Sequence, residues 1–311
     1  MNKSILITSI GAKIPLIKAI ARAKDDFDST MKIIGADSNP NVFSRITVDD
    51  FCQIPPLEEL SLEILLKYIQ KYKIRYIIPT RDAELPFFSL HKKALADKGI
   101  VVFVADIEVV EFCYDKLRFY EIAKSTWAIE TTLNIHELQV DSFVVKERFG
   151  SGAKNMGSDI GKAQAIEHAK KLQEPIFQPF IKGQEYSIDC YVDKNVVCRG
   201  VIVRSRDLVV NGESKITTIV HDENLAQKAS DFVTYHKIQG HSVLQVLQNE
   251  KGSFLIECNA RFGGASTLSD YAGLKSFLWF LQESNKEDLQ VNITNKIIKQ
   301  IRQDKDIYIE S

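Results

Sequence analysis

The sequence has almost no net charge, few cysteines and no long apolar run, and each shortage removes a class of function. Forty Lys and Arg stand against 41 Asp and Glu, a formal charge of −1, whereas a chain built to grip nucleic acid non-specifically carries a basic excess. The five cysteines (Cys52, Cys113, Cys190, Cys198 and Cys258) are an odd set with no CxxC or other zinc-type spacing. They read as reduced thiols of a cytoplasmic protein. No apolar stretch approaches the roughly 20 residues that span a bilayer. The opening MNKSILITSIGAKIPL has a short apolar patch interrupted by Thr8 and Ser9, and it reads as a first strand rather than a signal peptide. The six histidines (His91, His136, His168, His221, His236 and His241) show no HxH, HExxH or triad-like context. These absences leave a soluble cytoplasmic globular protein, with no nucleic acid or membrane as partner. Its 311 residues are a length for about two domains.

What is present is, first, alternation. Strand-like runs at Ser4–Ser9, Met31–Ala36, Ile74–Pro79 and Ile100–Val104 are separated by helical patterns at Ile14–Ala23, Ser61–Tyr72 and Leu85–Lys98. Such alternation predicts βαβ units and an open parallel sheet. The character changes near residue 113. A helical run over Tyr114–Ser125 leads to the strand Phe143–Lys146, a loop of small residues at Gly150–Gly157, a helix over Ala163–Leu172 and a strand at Ile176–Phe180. Beyond Glu185 the chain becomes strand-rich. Tyr186–Val192 and Val196–Val203 flank an Asp193-Lys194-Asn195 turn, a helix covers Glu223–His236, and Ser242–Gln248 and Ser253–Asn259 make a second hairpin. After Glu283 only weak strand signals remain, at Ile297–Ile301 and Ile307–Ile309. The expected organisation is an α/β parallel-sheet domain over 1–112, an α+β segment with the Gly-rich loop over 113–182, and an antiparallel segment over 183–311. A nucleotide would lie in the cleft between them.

Four motifs carry chemical meaning. The turn after the first strand, Ser9-Ile10-Gly11-Ala12-Lys13, has one glycine where a dinucleotide fingerprint needs three, and no P-loop occurs anywhere. The first domain therefore reads as structural or substrate-contributing. In Lys146-Glu147-Arg148-Phe149-Gly150-Ser151-Gly152-Ala153-Lys154-Asn155-Met156-Gly157, a lysine ends a strand and a flexible loop with two further cations follows. Such a backbone can turn several N–H groups toward phosphate oxygens, although the composition also suits an ordinary hairpin. In Gln178-Pro179-Phe180-Ile181-Lys182-Gly183-Gln184-Glu185, backbone groups at Phe180 and Ile181 could meet a purine edge and Glu185 could accept ribose hydroxyls; a plain β connection is the alternative. Finally, Glu257 and Asn259 lie two apart in one strand and so share a face, with Gln245 in the preceding strand and Arg261-Phe262-Gly263-Gly264 following. Oxygen donors of this kind suit Mg²⁺, which nucleotide phosphates and water complete.

In this order the motifs resemble the ATP-grasp superfamily, in the branch that includes the carbamoyl-phosphate synthase large chain. The resemblance runs from Tyr114 to Gly273, about half the chain. It is carried by Asp115-Lys116 opening a helix, FVVKERFGSGAKNMG, QPFIKGQEYSID, VLQV and LIECNARFGG. The segment IIPTRDAEL (Ile77–Leu85) is similar to the α/β domain that precedes the grasp in this branch. The resemblance implies that Lys116 and Lys146 contact ATP phosphates, and that Gly150–Gly157, with Arg148, Ser151, Gly152 and Lys154, covers them. It implies Gln178, Phe180 and Ile181 at adenine and Glu185 at ribose. Gln245, Glu257 and Asn259 would ligate Mg²⁺ (or Mn²⁺), Lys146 and Arg261 would serve the transferred phosphoryl group, and Arg204 and Arg206 would meet an anionic substrate. The implied activity is ATP-dependent, ADP-forming ligation of a small-molecule carboxylate, activated as acyl phosphate, to an amine. A homodimer is compatible with the family. Gln245 stands where a carboxylate is more usual, and Cys258 and Ala260 replace the customary apolar residue and proline. The large chain proper has two grasp units and this length holds one, so carbamoyl phosphate synthesis is not expected. Two rivals are a nucleotide-binding regulatory protein without turnover and an oxidoreductase built on the first sheet, which the missing glycines oppose.

Overall fold

The computed structural model describes residues 3–150 and 155–303. Its first hundred residues are β1 (Ser4–Ile7), α1 (Ile14–Asp28), β2 (Lys32–Asp37), β3 (Asp50–Gln53), α2 (Leu62–Tyr72), β4 (Ile74–Ile78), α3 (Leu85–Leu90), α4 (Lys92–Ala96) and β5 (Val101–Val102). All strands of this sheet pair in parallel, in the order β3-β2-β1-β4-β5. β1 is buried on both faces, as continuous apolar strands of parallel sheets are. One face packs Leu6, Ile34 and Ile77 under α2 and α3; the other packs Ile5, Ile7 and Tyr76 under α1. α2 begins where Ser61 Oγ accepts from Ile64 N and ends at Lys73 in the left-handed region, φ 53°. The helix expected over Leu85–Lys98 is broken at His91 (φ −94°, ψ 0°) into α3 and α4.

The helical run expected over Tyr114–Ser125 is the helix α6 (Lys116–Ala123), and it is preceded by a helix not expected from the sequence, α5 (Ile107–Tyr114). Asp115 separates them in an extended conformation and caps α6, its carboxylate accepting from Leu117 N and Arg118 N. A small antiparallel sheet follows, with β6 (Phe143–Glu147), β7 (Gly157–Ile160), α7 (Lys162–Ala169) and β8 (Pro175–Pro179) in the order β7-β6-β8. Phe143, Val145, Ala165 and Phe177 form its own core.

The third sheet contains β9 (Gln184–Val192), β10 (Cys198–Val210), β11 (Glu213–Ile219), β12 (Gly240–Asn249) and β13 (Gly252–Asn259), with α8 (Glu223–Tyr235) between β11 and β12. α9 (Thr267–Tyr271), α10 (Ser276–Ser284) and β14 (Lys299–Ile301) complete the described chain. The order is β13-β12-β9-β10-β11-β14. β10 runs on past the expected Val203 and turns at Asn211-Gly212, both at positive φ (52° and 76°), the requirement of a tight hairpin turn. α10 lays Phe277, Phe280 and Leu281 against α1 and β1, joining the last helix among the described residues to the first sheet. The expected strand at Ile307–Ile309 lies outside the described residues. The architecture is thus the expected one, a parallel α/β domain followed by antiparallel α+β sheets. No helix among the described residues is long and apolar enough to cross a membrane.

Candidate functional site

Where the three sheets meet lies a cavity of about 940 Å³. The register of the third sheet puts Glu185, Ser187 and Asp189 of β9 on one face with Arg204 and Arg206 of β10, Val243, Gln245 and Leu247 of β12, and Glu257 and Asn259 of β13. Glu185, Arg206, Gln245, Leu247 and Glu257 reach the cavity. Gln245 and Glu257 are direct cross-strand partners, and the next pair is Val246 with Leu255, so Ile256 is the extra residue of a β-bulge beside the site.

Lys146, the next-to-last residue of β6, has only 9% of its surface exposed. Burial, which disfavours its charge, and the neighbouring Lys116 outweigh Glu257 and Glu185 and pull its pKa down to about 8. Lys116, at the start of α6, donates from Nζ to Gly150 O (2.7 Å) and lines the same cavity. Glu185 is pushed upward by burial, with Glu257 adding to the effect and Arg206 and Lys146 opposing it. Arg206 Nε lies 3.1 Å from Glu185 Oε1, and its terminal nitrogen donates to Gly212 O (2.9 Å). This contact ties the β10–β11 turn to the cavity wall. Gln178 is buried on β8 and donates to Thr131 Oγ1 (2.8 Å). Phe180 and Ile181 line the cavity just beyond, and the Phe180 N–H already donates to Ser142 O (2.9 Å).

Asn259 donates to Glu257 Oε1 (3.2 Å) and faces a small adjoining cavity with Glu257. Arg261 is held by Asp82, 2.5 Å away, across 179 residues of sequence. Its Nε is buried with no hydrogen-bond partner among the described residues. A buried unpaired donor is costly, so this atom is suited to receive a ligand. Among the described residues no three His, Cys, Asp or Glu side chains cluster as a metal site. The donor set at β12 and β13 is one carboxylate and two amides. That set fits a cation which substrate phosphates complete, as Mg²⁺ does.

Two sequence expectations change on geometry. Arg204 is 2% exposed and does not line the cavity. Its Nε is 2.5 Å from Asp189 Oδ2, and the same carboxylate accepts from Ser269 (2.6 Å) and Ser266 and lies 3.2 Å from His241 Nε2. Arg204 is therefore part of a buried polar network, not a substrate contact; Arg206 alone of the pair reaches the cavity. Arg148 points away as well, forming a two-point ion pair with Asp115 at 2.7 and 2.5 Å. Ser151, Gly152 and Lys154 lie outside the described residues.

Lys13, Thr80, Arg81 and Asp82 of the first domain and Tyr114 at the end of α5, none given a role by the motifs, also line the cavity. The loop after β4 is fixed by Glu84, whose carboxylate accepts from Thr80 N (2.5 Å), Arg81 N (2.9 Å) and Ser9 Oγ (2.8 Å). The available signal was topological. In the order β3-β2-β1-β4-β5 the connections from β1 and β4 leave in opposite directions, and ligands gather outside the strand ends at such a switch point.

Residues 171–305 match a family model described as ATP-grasp in the biosynthetic pathway with Ter operon, and residues 5–103 match the PylC-like N-terminal domain. No curated protein matches the chain. Among solved structures, the chain is similar to the biotin carboxylase domain of Hydrogenobacter thermophilus 2-oxoglutarate carboxylase in complex with MgADP, ADP and bicarbonate, at 14% identity and TM-score 0.75, covering 94% of this chain and 72% of that one. It is also similar to N5-carboxyaminoimidazole synthetase from Staphylococcus aureus complexed with ADP, at 16% identity and TM-score 0.74 over 94% and 79% of the two chains. A third is an L-amino acid ligase from Bacillus licheniformis, at 16% identity and TM-score 0.70 over 92% and 74%. At these identities the likeness is one of fold.

Proposed function

Because the chain belongs to the ATP-grasp superfamily, we propose that it is an ADP-forming ligase that activates a carboxylate as an acyl phosphate for attack by an amine. One observation carries the reading: a single cavity collects Lys116 from α6, Lys146 from β6, Glu185, Gln245 and Glu257 from the third sheet and Arg261 from just after β13, and Arg261 Nε is buried without a hydrogen-bond partner among the described residues. The named activities of the similar structures, carboxylation and amino acid ligation, agree with it.

ATP lies with its adenine beside Phe180 and Ile181. The Phe180 N–H is already engaged, so the Phe180 carbonyl and the Ile181 N–H serve the purine edge. Glu185 accepts ribose hydroxyls, and Lys116 and Lys146 meet the phosphates. A substrate carboxylate oxygen attacks the γ-phosphorus, the bond to the bridging β–γ oxygen breaks, and ADP leaves. Attack by an amine on the acyl phosphate then releases inorganic phosphate. Phosphoryl transfer of this kind is mostly positioning and charge neutralisation, so no nucleophilic side chain is needed. Arg261, oriented by Asp82, neutralises charge on the transferred group. Mg²⁺, with Mn²⁺ as substitute, would be held by Glu257, Asn259 and Gln245 and would supply further neutralisation of the phosphates.

The test is ADP release across mixtures of carboxylates and amines. Release that requires both Mg²⁺ and a carboxylate is expected; ATP binding with no release in any mixture would overturn the reading and favour a regulatory nucleotide-binding protein. A pH series adds a second check. Free Lys146 loses its proton near pH 8, so ATP affinity is expected to fall as pH rises above that value, by about tenfold per unit for one linked proton. Calorimetric titration with a non-hydrolysable analogue between pH 6.5 and 9.5 measures it, and a flat profile removes Lys146 from the phosphate site.

A further inference from the structure

Two cations at the first-domain end of the cavity have no place in the reaction above. Lys13 follows β1 and Arg81 follows β4, on either side of the switch point, and both line the cavity. Among the described residues neither makes an ion pair. The carboxylates whose charge reaches Lys13 are Asp82, Glu213 and Glu84, and all three are engaged elsewhere. Asp82 holds Arg261, Glu213 pairs with Lys215 and Arg302, and Glu84 accepts from the backbone of its own loop. Burial and the nearby Arg261 accordingly lower the pKa of Lys13, the state of a cation lacking a counter-charge.

This end is distinct from the phosphate end. Lys13 and Arg81 enter from the loops after β1 and β4, whereas Lys116 and Lys146 enter from α6 and β6. Arg261, just after β13, is held by Asp82 of the loop after β4 and lines the same cavity as Glu257, so it links the two groups. A molecule reacting at Arg261 therefore extends from the phosphates toward Lys13 and Arg81.

We propose that the carboxylate substrate carries a second anionic group, a carboxylate or a phosphate ester, held by Lys13 and Arg81 in the crevice outside β1 and β4. The position of the reacting carboxyl rests on the ligase reading; the second anion site does not.

The experiment measures binding of butyrate, succinate and phosphoglycolate to the full chain by calorimetry without ATP, in the unaltered protein and in Lys13→Ala, Arg81→Ala, Lys13→Arg and the double alanine variant. Succinate or phosphoglycolate is expected to bind at least about tenfold more tightly than butyrate, and each alanine change to remove about tenfold, the worth of one charge-assisted hydrogen bond. Lys13→Arg retains the preference. Whichever dianion binds better identifies the second group. Equal binding of butyrate and both dianions, or unchanged dianion binding in the double variant, overturns the proposal. A dianion preference that is lost in the alanine variants, in a protein that releases no ADP with any carboxylate, upholds this site and removes the ligase reading instead.

Discussion

Glu257→Gln is expected to lower the rate of ADP release by about a hundred- to a thousandfold while leaving thermal unfolding near that of the unaltered protein. The replacement keeps shape and keeps an oxygen that can accept from Asn259, now 3.2 Å from the carboxylate, so the β12–β13 ladder has no reason to change. What it removes is the only carboxylate of the proposed metal set, leaving three neutral amides for a hard cation. It also removes the first of the charges that hold up the Lys146 pKa against burial. Lys146 then loses its proton at lower pH and phosphate affinity weakens with it. Initial rates against Mg²⁺ concentration check the result. Turnover close to normal would mean that Glu257 is not a ligand and that Asn259 and Gln245 merely line a wall.

Asp189→Ala carries the largest expected cost in stability, about 3–5 kcal/mol, the penalty of breaking a buried ion pair from one side. Arg204 is 2% exposed and Asp189 fully buried, so the guanidinium would be left in the interior without its counter-ion. Burial opposes the charge of Asp189, but Arg204 and His241 overcome it and hold the carboxyl well below the usual carboxylate range. The sign follows. A carboxylate with a depressed folded pKa contributes stability that is fully present above its unfolded value, roughly 4, and is lost as pH falls toward the folded one. Urea unfolding at pH 7 and at pH 3 is therefore expected to show a smaller difference in the variant than in the unaltered protein. Adding Arg204→Met should restore much of the loss, because replacing both partners by apolar groups avoids the unpaired charge. If the single variant is as stable as the unaltered chain, the network contributes nothing to the fold.

The contrast between Arg204 and Arg206 marks what a sequence discloses. Period-2 spacing places both on one face of β10, which is correct. Depth along that face is set by Ser266 and Ser269, near α9, reaching Asp189 from below, and no local pattern encodes it. The parallel sheet was legible because its strands are apolar runs and α1 and α2 are amphipathic. α10 was not, because Phe277, Trp279, Phe280 and Leu281 are buried on most of its circumference, leaving no polar face to give it a period. β3 is four residues long with only Cys52 buried, too short for alternation to register. At the site, residues carried by ordered motifs, such as Lys116, Lys146, Glu185, Gln245 and Glu257, do line one cavity. Lys13 and Arg81 sit in the turn after β1 and in the IIPTRDAEL segment, neither of which carried a binding role as sequence, and strand order brings them to the same cavity.

The packing of α10 on the first sheet bears on how the chain is made. Ile5, Ile7, Ile17, Ile20 and Tyr76 share a cluster with Phe277, Phe280 and Leu281, and Phe103 stacks on Phe280 at 4.6 Å. On a ribosome, β1 to β5 emerge early, but the helix that covers their outer face ends at Ser284. At the usual synthesis speed the wait is on the order of ten to forty seconds. For that interval the nascent first domain presents an uncovered apolar face.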